Sequence, residues 1–223
     1  SYPGWHIECS VMSQKYLGEV FDIHTGGIDL IPTHHENEIA QSKGMCGKIP
    51  ANYWMHGEFL LINGGKMSKS LGNVYLLQDI VDRGYDPLVY KLFCYSIQYR
   101  KKLNFTWEGM DSARIALDRL REAYQKHLTG TEDVAEELIS KYEKDFNEAI
   151  NDDLNMPVAM SVVWKVAKRT EKSKKLAELL KKFDRVLGIK IDEHKEEEIP
   201  DDIKELLTKR AEARKNKDWA ESD

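Results

Sequence analysis

From residue 106 onward the chain repeats one arrangement, in which apolar residues recur three and four positions apart with charged residues between them. Met110, Ala113, Leu117, Leu120, Tyr124 and Leu128 make one such stripe, the spacing of a single helix face. Leu138, Ile139, Tyr142 and Phe146 repeat it, as do Met156, Met160, Val163 and Ala167, and then Leu176, Leu179, Leu180, Phe183 and Leu187. Gly130, the Asn151-Asp152-Asp153 cluster and Gly188 punctuate the stripes, as turn and helix-end residues do. Helices that each carry one apolar face must share a core, so residues 106–192 are expected to form an antiparallel helical bundle.

The first 75 residues or so mix periods in the manner of an α/β unit. A helix is expected over Cys9–Leu17, a short strand over Val20–His24, and a helix from about His34 to Met45. Asn52–His56 and Phe59–Ile62, rich in aromatic and branched residues, read as strands. Leu77–Arg83 reads as a helix, and Asp86-Pro87 as the cap and first turn of another running through Tyr99. The acidic, proline-containing stretch from residue 193 to 205 reads as a linker. Beyond it Lys209, Arg210, Arg214, Lys215 and Lys217 precede Trp219. That segment is either an RNA-facing surface or a solvated helix face with Glu205 and Lys209 paired. The opening Ser1-Tyr2-Pro3-Gly4-Trp5 offers no first element and the chain stops at Asp223 in a charged helical pattern, so both ends are expected to lie inside longer domains.

Composition narrows the class. Hydrophobic residues make up 41% and charged residues 32% of the 223, the balance of a soluble globular protein. The net charge of -5 argues against a chain that is basic throughout, although a local positive face suffices to meet a phosphate backbone. No stretch approaches the roughly 20 apolar residues that span a bilayer, so a cytoplasmic setting is expected. Cys9, Cys46 and Cys94 are too few for a disulfide framework and read as reduced core residues or metal ligands.

Two groups of residues carry candidate chemistry. Lys66-Met67-Ser68-Lys69-Ser70, set between Gly64-Gly65 and Gly72-Asn73, makes a cationic loop whose lysines and hydroxyls suit phosphate oxygens. Read alone, it is also an ordinary solvated basic turn. His34 and Glu38 lie four apart at a helix start and share a face, and Cys9 can be brought to them by the strand between. Thiolate, imidazole and carboxylate are ligands that zinc accepts. His35 and Glu36 fall on other faces and are less well placed for that metal. Cys46 is a competing ligand that would close a purely structural site. Gly26-Gly27 after His24 lets backbone approach a ligand, Asp29 suits ribose hydroxyls, and Trp5 can wall a small pocket.

Gly4-Trp5-His6-Ile7-Glu8-Cys9, Asp22-Ile23-His24, Gly26-Gly27-Ile28-Asp29-Leu30, His34-His35-Glu36-Asn37-Glu38 and Lys66-Met67-Ser68-Lys69-Ser70 resemble the cysteinyl-tRNA synthetase family in order and spacing. The resemblance implies a class I aminoacyl-tRNA synthetase. Its parts would be the C-terminal half of a Rossmann-like catalytic domain (1–62), a stem-contact region with the lysine signature loop (63–105), the tRNA-binding helical bundle (106–192), and an acidic linker opening the anticodon-binding domain (193–223). It implies one Zn2+ per subunit, held by Cys9, His34 and Glu38 and ligated directly by the substrate thiolate. Trp5 and His24 would line the cysteine pocket, and Asp29 and Gly27 would face the nucleotide. Lys66 and Lys69 would act on the leaving pyrophosphate, with Lys69 touching ATP. L-cysteine, ATP with Mg2+ and tRNA(Cys) are the implied partners, and a monomer is expected.

The sequence departs from the family pattern in three respects. The family's fourth zinc ligand, a cysteine, and its His-Ile-Gly-His signature are not present, and Pro32-Thr33 stands where the family commonly has Phe-Pro. The 223 residues alone are therefore expected to give no cysteine-dependent ATP–pyrophosphate exchange. A related ligase that joins cysteine to a glucosamine-inositol acceptor shares the zinc and lysine motifs, and a zinc-stapled RNA-binding module would explain the ligands without catalysis.

Overall fold

The computed structural model describes residues 4–193 and, in the tail, residues 206, 208–211 and 214. The chain divides into two compact units between Asp192 and Glu193. In the second unit residues 206, 208–211 and 214 are helical and exposed, Lys209, Arg210 and Arg214 among them. The acidic run after Glu193, and Lys215, Lys217 and Trp219, lie outside the described residues.

The first unit opens with α1 (His6–Leu17), followed by β1 (Phe21–Gly27), α2 (Glu36–Cys46) and β2 (Ala51–Gly57). The two strands pair in parallel, from Phe21 opposite Ala51 to Gly27 opposite Gly57, with α2 as the crossover that a parallel pair requires. Between β1 and α2 the chain makes a 3-10 turn (Ile28–Leu30) and then a wide π-type turn (Ile31–His35) with Pro32 near its start. The regular helix expected from His34 therefore begins two residues later. Insertion of such a turn rotates the side chains that follow it relative to a regular helix, a feature common at functional sites.

A second sheet follows, with β3 (Leu60–Ile62) at its centre, β4 (Gly65–Lys66) antiparallel on one side and β5 (Leu103–Phe105) parallel on the other. Asn63 and Gly64 close the β3–β4 hairpin with φ of 48° and 79°, the left-handed pair that the tightest hairpins need. Between β4 and β5 lie α3 (Leu77–Asp82) and α4 (Pro87–Cys94). Asp86 caps α4, its carboxylate accepting from Leu88 N at 2.9 Å. This helix stops at Cys94, short of the expected Tyr99, because the chain turns away there. Tyr95 Oη donates to the Leu187 carbonyl at 2.7 Å, and residues 98–100 reach across to Asp153.

The remainder is helical: α5 (Trp107–Leu128), α6 (Glu136–Asn151), α7 (Met156–Ala167) and α8 (Lys174–Leu187). Each expected stripe lies on the core-facing side of one helix, except that Leu128, at the end of α5, is exposed and His127 is buried beside it instead. Met110, Leu117, Leu120, Phe146, Val163, Leu176, Leu180, Phe183 and Leu187 are almost fully enclosed. Phe146 and Phe183 stack with centroids 4.1 Å apart. Burying an aromatic or leucine side chain of this kind contributes about 1.5–3 kcal/mol. Thr106 caps α5 by accepting from Gly109 N at 3.0 Å, and Gly188 ends α8 in the left-handed conformation, φ 58°. Among the described residues no helix is long and apolar enough to cross a membrane.

Candidate functional site

The polar centre of the first sheet is assembled from α1, the π-type turn, α2 and both strands. Ser10 Oγ donates to Gln41 Oε1 at 2.6 Å, holding α1 on α2 and setting Cys9, one residue earlier, beside the buried start of α2. Cys9 Sγ, a His34 ring nitrogen and a Glu38 carboxylate oxygen lie within 4.8 Å of one another. His34 and Glu38 are both buried.

Three observations fit this set to a divalent cation. His34 Nε2 and Glu38 Oε1 are 2.9 Å apart, yet Oε1 has no hydrogen-bond partner among the described residues. The two atoms sit side by side rather than in donor–acceptor line, as ligands converging on one point do. Second, the Cys9 thiol is pushed up from its ordinary pKa by burial first, then by Glu38 and Glu8. A thiolate beside a carboxylate needs a cation to hold it, and metal binding deprotonates the thiol. Third, Glu38 is oriented from behind, since its Oε2 lies 2.9 Å from His24 Nε2, the kind of outer-shell contact that fixes a metal ligand.

The histidines form a wider layer than residue spacing suggests. A regular helix would turn His35 away from His34 and Glu38. The π-type turn instead buries both histidines, and His24, His35 and Glu38 offer a second group of potential ligand atoms within 4.8 Å. His35 Nδ1 is 2.8 Å from His56 Nε2, and its ring packs against Trp54 and His24 at centroid distances of 5.0 and 4.8 Å. Burial, then the neighbouring His24, His56 and His34, lowers the His35 pKa to about 4, so this ring is neutral at pH 7. Glu36, by contrast, is exposed.

Trp54 and His56 were not singled out from the sequence. Their signal was the strand period: two positions apart on β2, they share a face, and His24 is registered opposite Trp54. Gly26 is required here, because a Cβ would come within 2.6 Å of the His35 ring. Trp5 lies over the rim, its ring 3.9 Å from that of His34 while largely exposed. Gly27 ends β1, and the exposed Asp29 turns its carboxylate back toward it. Cys46 takes no part: its thiol donates to the Ser42 carbonyl at 3.2 Å, and it joins neither ligand group.

The lysine loop stands on the second sheet. Asn73 clasps it from both ends, accepting from Ser68 N at 2.8 Å and donating to the Lys66 carbonyl at 3.0 Å. Ser68 Oγ accepts from Leu71 N at 3.3 Å and lies 3.0 Å from Ser70 Oγ. Met67 packs against the apolar core, so Lys66 and Lys69 are left exposed, and neither has an acidic partner within 4 Å among the described residues. Two unneutralised cations on one short loop can receive phosphate charge.

Comparison with known proteins gives the family. Residues 1–115 match the model of the tRNA synthetases class I (C) catalytic domain. The chain belongs to that family. Residues 145–192, which hold the C-terminal part of α6 and all of α7 and α8, match the DALR domain. Among curated relatives, the chain is 44% identical to cysteine--tRNA ligase 1 of Burkholderia lata, with 100% of this chain aligned to 47% of that protein. It is 43% identical to the cysteine--tRNA ligase of Bacillus cereus, over 99% of this chain and 51% of the relative. The chain thus spans about half the length of the relatives it matches. In fold it is similar to Agrobacterium radiobacter K84 agnB2 LeuRS in its ternary complex with tRNA and LeuAMS. The TM-score is 0.60 at 16% identity, covering 75% of this chain and 26% of that one. The class I synthetase family accounts for the parallel strand pair beside a largely helical remainder.

Proposed function

We propose that this chain carries the cysteine pocket and the pyrophosphate-facing lysines of a cysteine--tRNA ligase. The observation that carries the reading is the gathering of ligand atoms of Cys9, His34 and Glu38 within 4.8 Å of one another, in a chain whose curated relatives bear that name. Cys9, His34 and Glu38 would hold one Zn2+, which when bound supplies a Lewis-acid centre that prefers a thiolate to a hydroxyl. Serine differs from cysteine by one atom, so a pocket with this donor set can reject it without an editing site. Trp5 and His24 line the pocket, and His24 also steadies Glu38.

In the proposed reaction the carboxylate of L-cysteine attacks the α-phosphate of ATP, forming cysteinyl-adenylate and releasing pyrophosphate. A terminal ribose hydroxyl of tRNA(Cys) then attacks the carbonyl of the adenylate, takes the cysteinyl group and releases AMP. Lys66 and Lys69 neutralise charge that builds on the departing pyrophosphate, which lowers the barrier because that charge is larger in the transition state than in ATP. Lys69 makes the direct contact with ATP, whose Mg2+ shares the load, while Gly27 and Asp29 face the nucleotide. The helical bundle of residues 106–192 would seat tRNA, residues 63–105 its acceptor stem, and residues 193–223 would open an anticodon-reading domain. We infer that the parent enzyme is a cytoplasmic monomer.

The test is a spectroscopic titration of the cobalt-substituted chain. Free cysteine should add a thiolate-to-cobalt charge-transfer band that serine does not produce. A spectrum indifferent to cysteine would reject the pocket assignment and point to a metal that only staples the fold.

A further inference from the structure

The corner between α6 and α7 carries an arrangement that the site does not absorb. Asp153 and Leu154 both have φ of 53°, a left-handed conformation unfavourable for side chains with a Cβ. There the Asp153 carboxylate collects three donors from one turn. Tyr99 Oη donates to Oδ1 at 2.7 Å, Arg100 Nε to Oδ2 at 2.5 Å with a second guanidinium contact at 3.2 Å, and Gln98 Nε2 to Oδ2 at 3.2 Å. The Asp153 carbonyl accepts from Gln98 Nε2 at 3.1 Å. These hydrogen bonds, Arg100 and Tyr99 foremost, hold the Asp153 carboxyl down at about 2, so it is ionised at pH 7.

The same turn is fastened to the metal-site sheet. Tyr99 O accepts from Glu58 N at 2.9 Å, and Glu58 directly follows the last residue of β2. Two residues before Glu58 is His56, which meets His35. A continuous series of contacts thus runs from Asp153 through Tyr99 to Glu58, and along β2 to the histidine layer beneath the candidate metal centre. A lone exposed ion pair would contribute little. A bidentate arginine and two further donors on one carboxylate form a small network with fixed geometry.

We propose that Asp153 is a positioning residue that ties the α6–α7 corner to the end of β2, so that a load on the helical bundle is felt by the strand carrying Trp54 and His56. That the load is a seated RNA rests on the functional reading above; the mechanical coupling does not.

The experiment is hydrogen–deuterium exchange on the full 223-residue chain and three variants. Asp153→Gly keeps the left-handed backbone accessible while removing the carboxylate, Asp153→Asn retains an acceptor and tolerates φ near 53°, and Tyr99→Phe deletes one donor. In Asp153→Gly the amides of residues 55–58 should exchange about tenfold faster while those of α7 and α8 change less than about twofold. Asp153→Asn, which keeps only one of the two acceptor oxygens, should give an intermediate rise, and Tyr99→Phe should raise exchange at the same amides to a smaller extent than Asp153→Gly. Unchanged exchange at 55–58 in both Asp153→Gly and Tyr99→Phe would overturn the proposal. So would an equal rise throughout residues 51–187, since that is general destabilisation. No cysteine, ATP or RNA enters the measurement, so its failure and failure of the cobalt titration are separately visible.

Discussion

The two halves of the first unit bury opposite kinds of side chain. From Gly4 to Ile49 every buried side chain is polar: His34, His35, Glu38 and Ser42. In the four bundle helices the buried set is almost wholly aliphatic and aromatic, with His127, Arg121 and Asp184 as its polar exceptions. On the α/β side apolar groups lie outside instead, with Val11 58% and Tyr53 70% exposed, although parallel sheets are ordinarily covered on both faces. The bundle is therefore held chiefly by packing. The α/β half is organised around ligand atoms, and its order should depend on what those atoms hold.

Four measurements can break or sharpen this contrast. The largest effect is expected in the bundle, where Phe183→Ala removes a ring stacked on Phe146 and should cost about 3–5 kcal/mol in denaturant unfolding. A loss below 1 kcal/mol would mean that packing is not what holds it. On the other side, His24→Ala removes the group behind Glu38 and should weaken zinc binding about 10- to 100-fold, read by competition with a chromophoric chelator, while the far-ultraviolet signal of the bundle stays unchanged.

Acid should act on the bundle through His127, which is fully buried with its Nε2 3.2 Å from the Val166 carbonyl. Burial, and then Lys172, lowers its pKa. Because the unfolded chain binds a proton here more readily than the folded one, stability should fall as pH drops below about 6.5. His127→Gln should flatten that slope in urea midpoints taken from pH 7 to 5; an unchanged slope would place the acid sensitivity elsewhere. Last, Thr106→Ala deletes the α5 cap and should cost about 1 kcal/mol, detectable in the same unfolding curves and without effect on zinc affinity.

The contrast also explains what could be read in advance. The bundle was legible because a helix face is written in local spacing: the stripes of residues 106–192 face the core, Leu128 at the end of α5 excepted, and the stops at Asn151 and Gly188 coincide with helix ends. The pairing of His34 with Glu38 was local in the same sense. Where the reading missed, the cause was long-range. Tyr99 left the expected helix because Asp153, 54 positions along the chain, captures it. His35 entered the site because a π-type turn replaced the regular helix start, and Trp54 and His56 joined it across the parallel register with β1.

Sequence alone determined the bundle helices, the helix–strand–helix–strand order of the opening, the family motifs, the cationic loop and the three candidate ligands, since each depends on residue identity and spacing within a few turns or one strand; the short strands β4 and β5 were not read from it. Tertiary structure decided which histidines gather beneath the candidate metal centre, how Asn73 holds the lysine loop, and that the bundle corner is tied to β2. Those arrangements depend on the relative placement of elements, which is set by packing and by hydrogen bonds between distant residues, and no period within one segment records it.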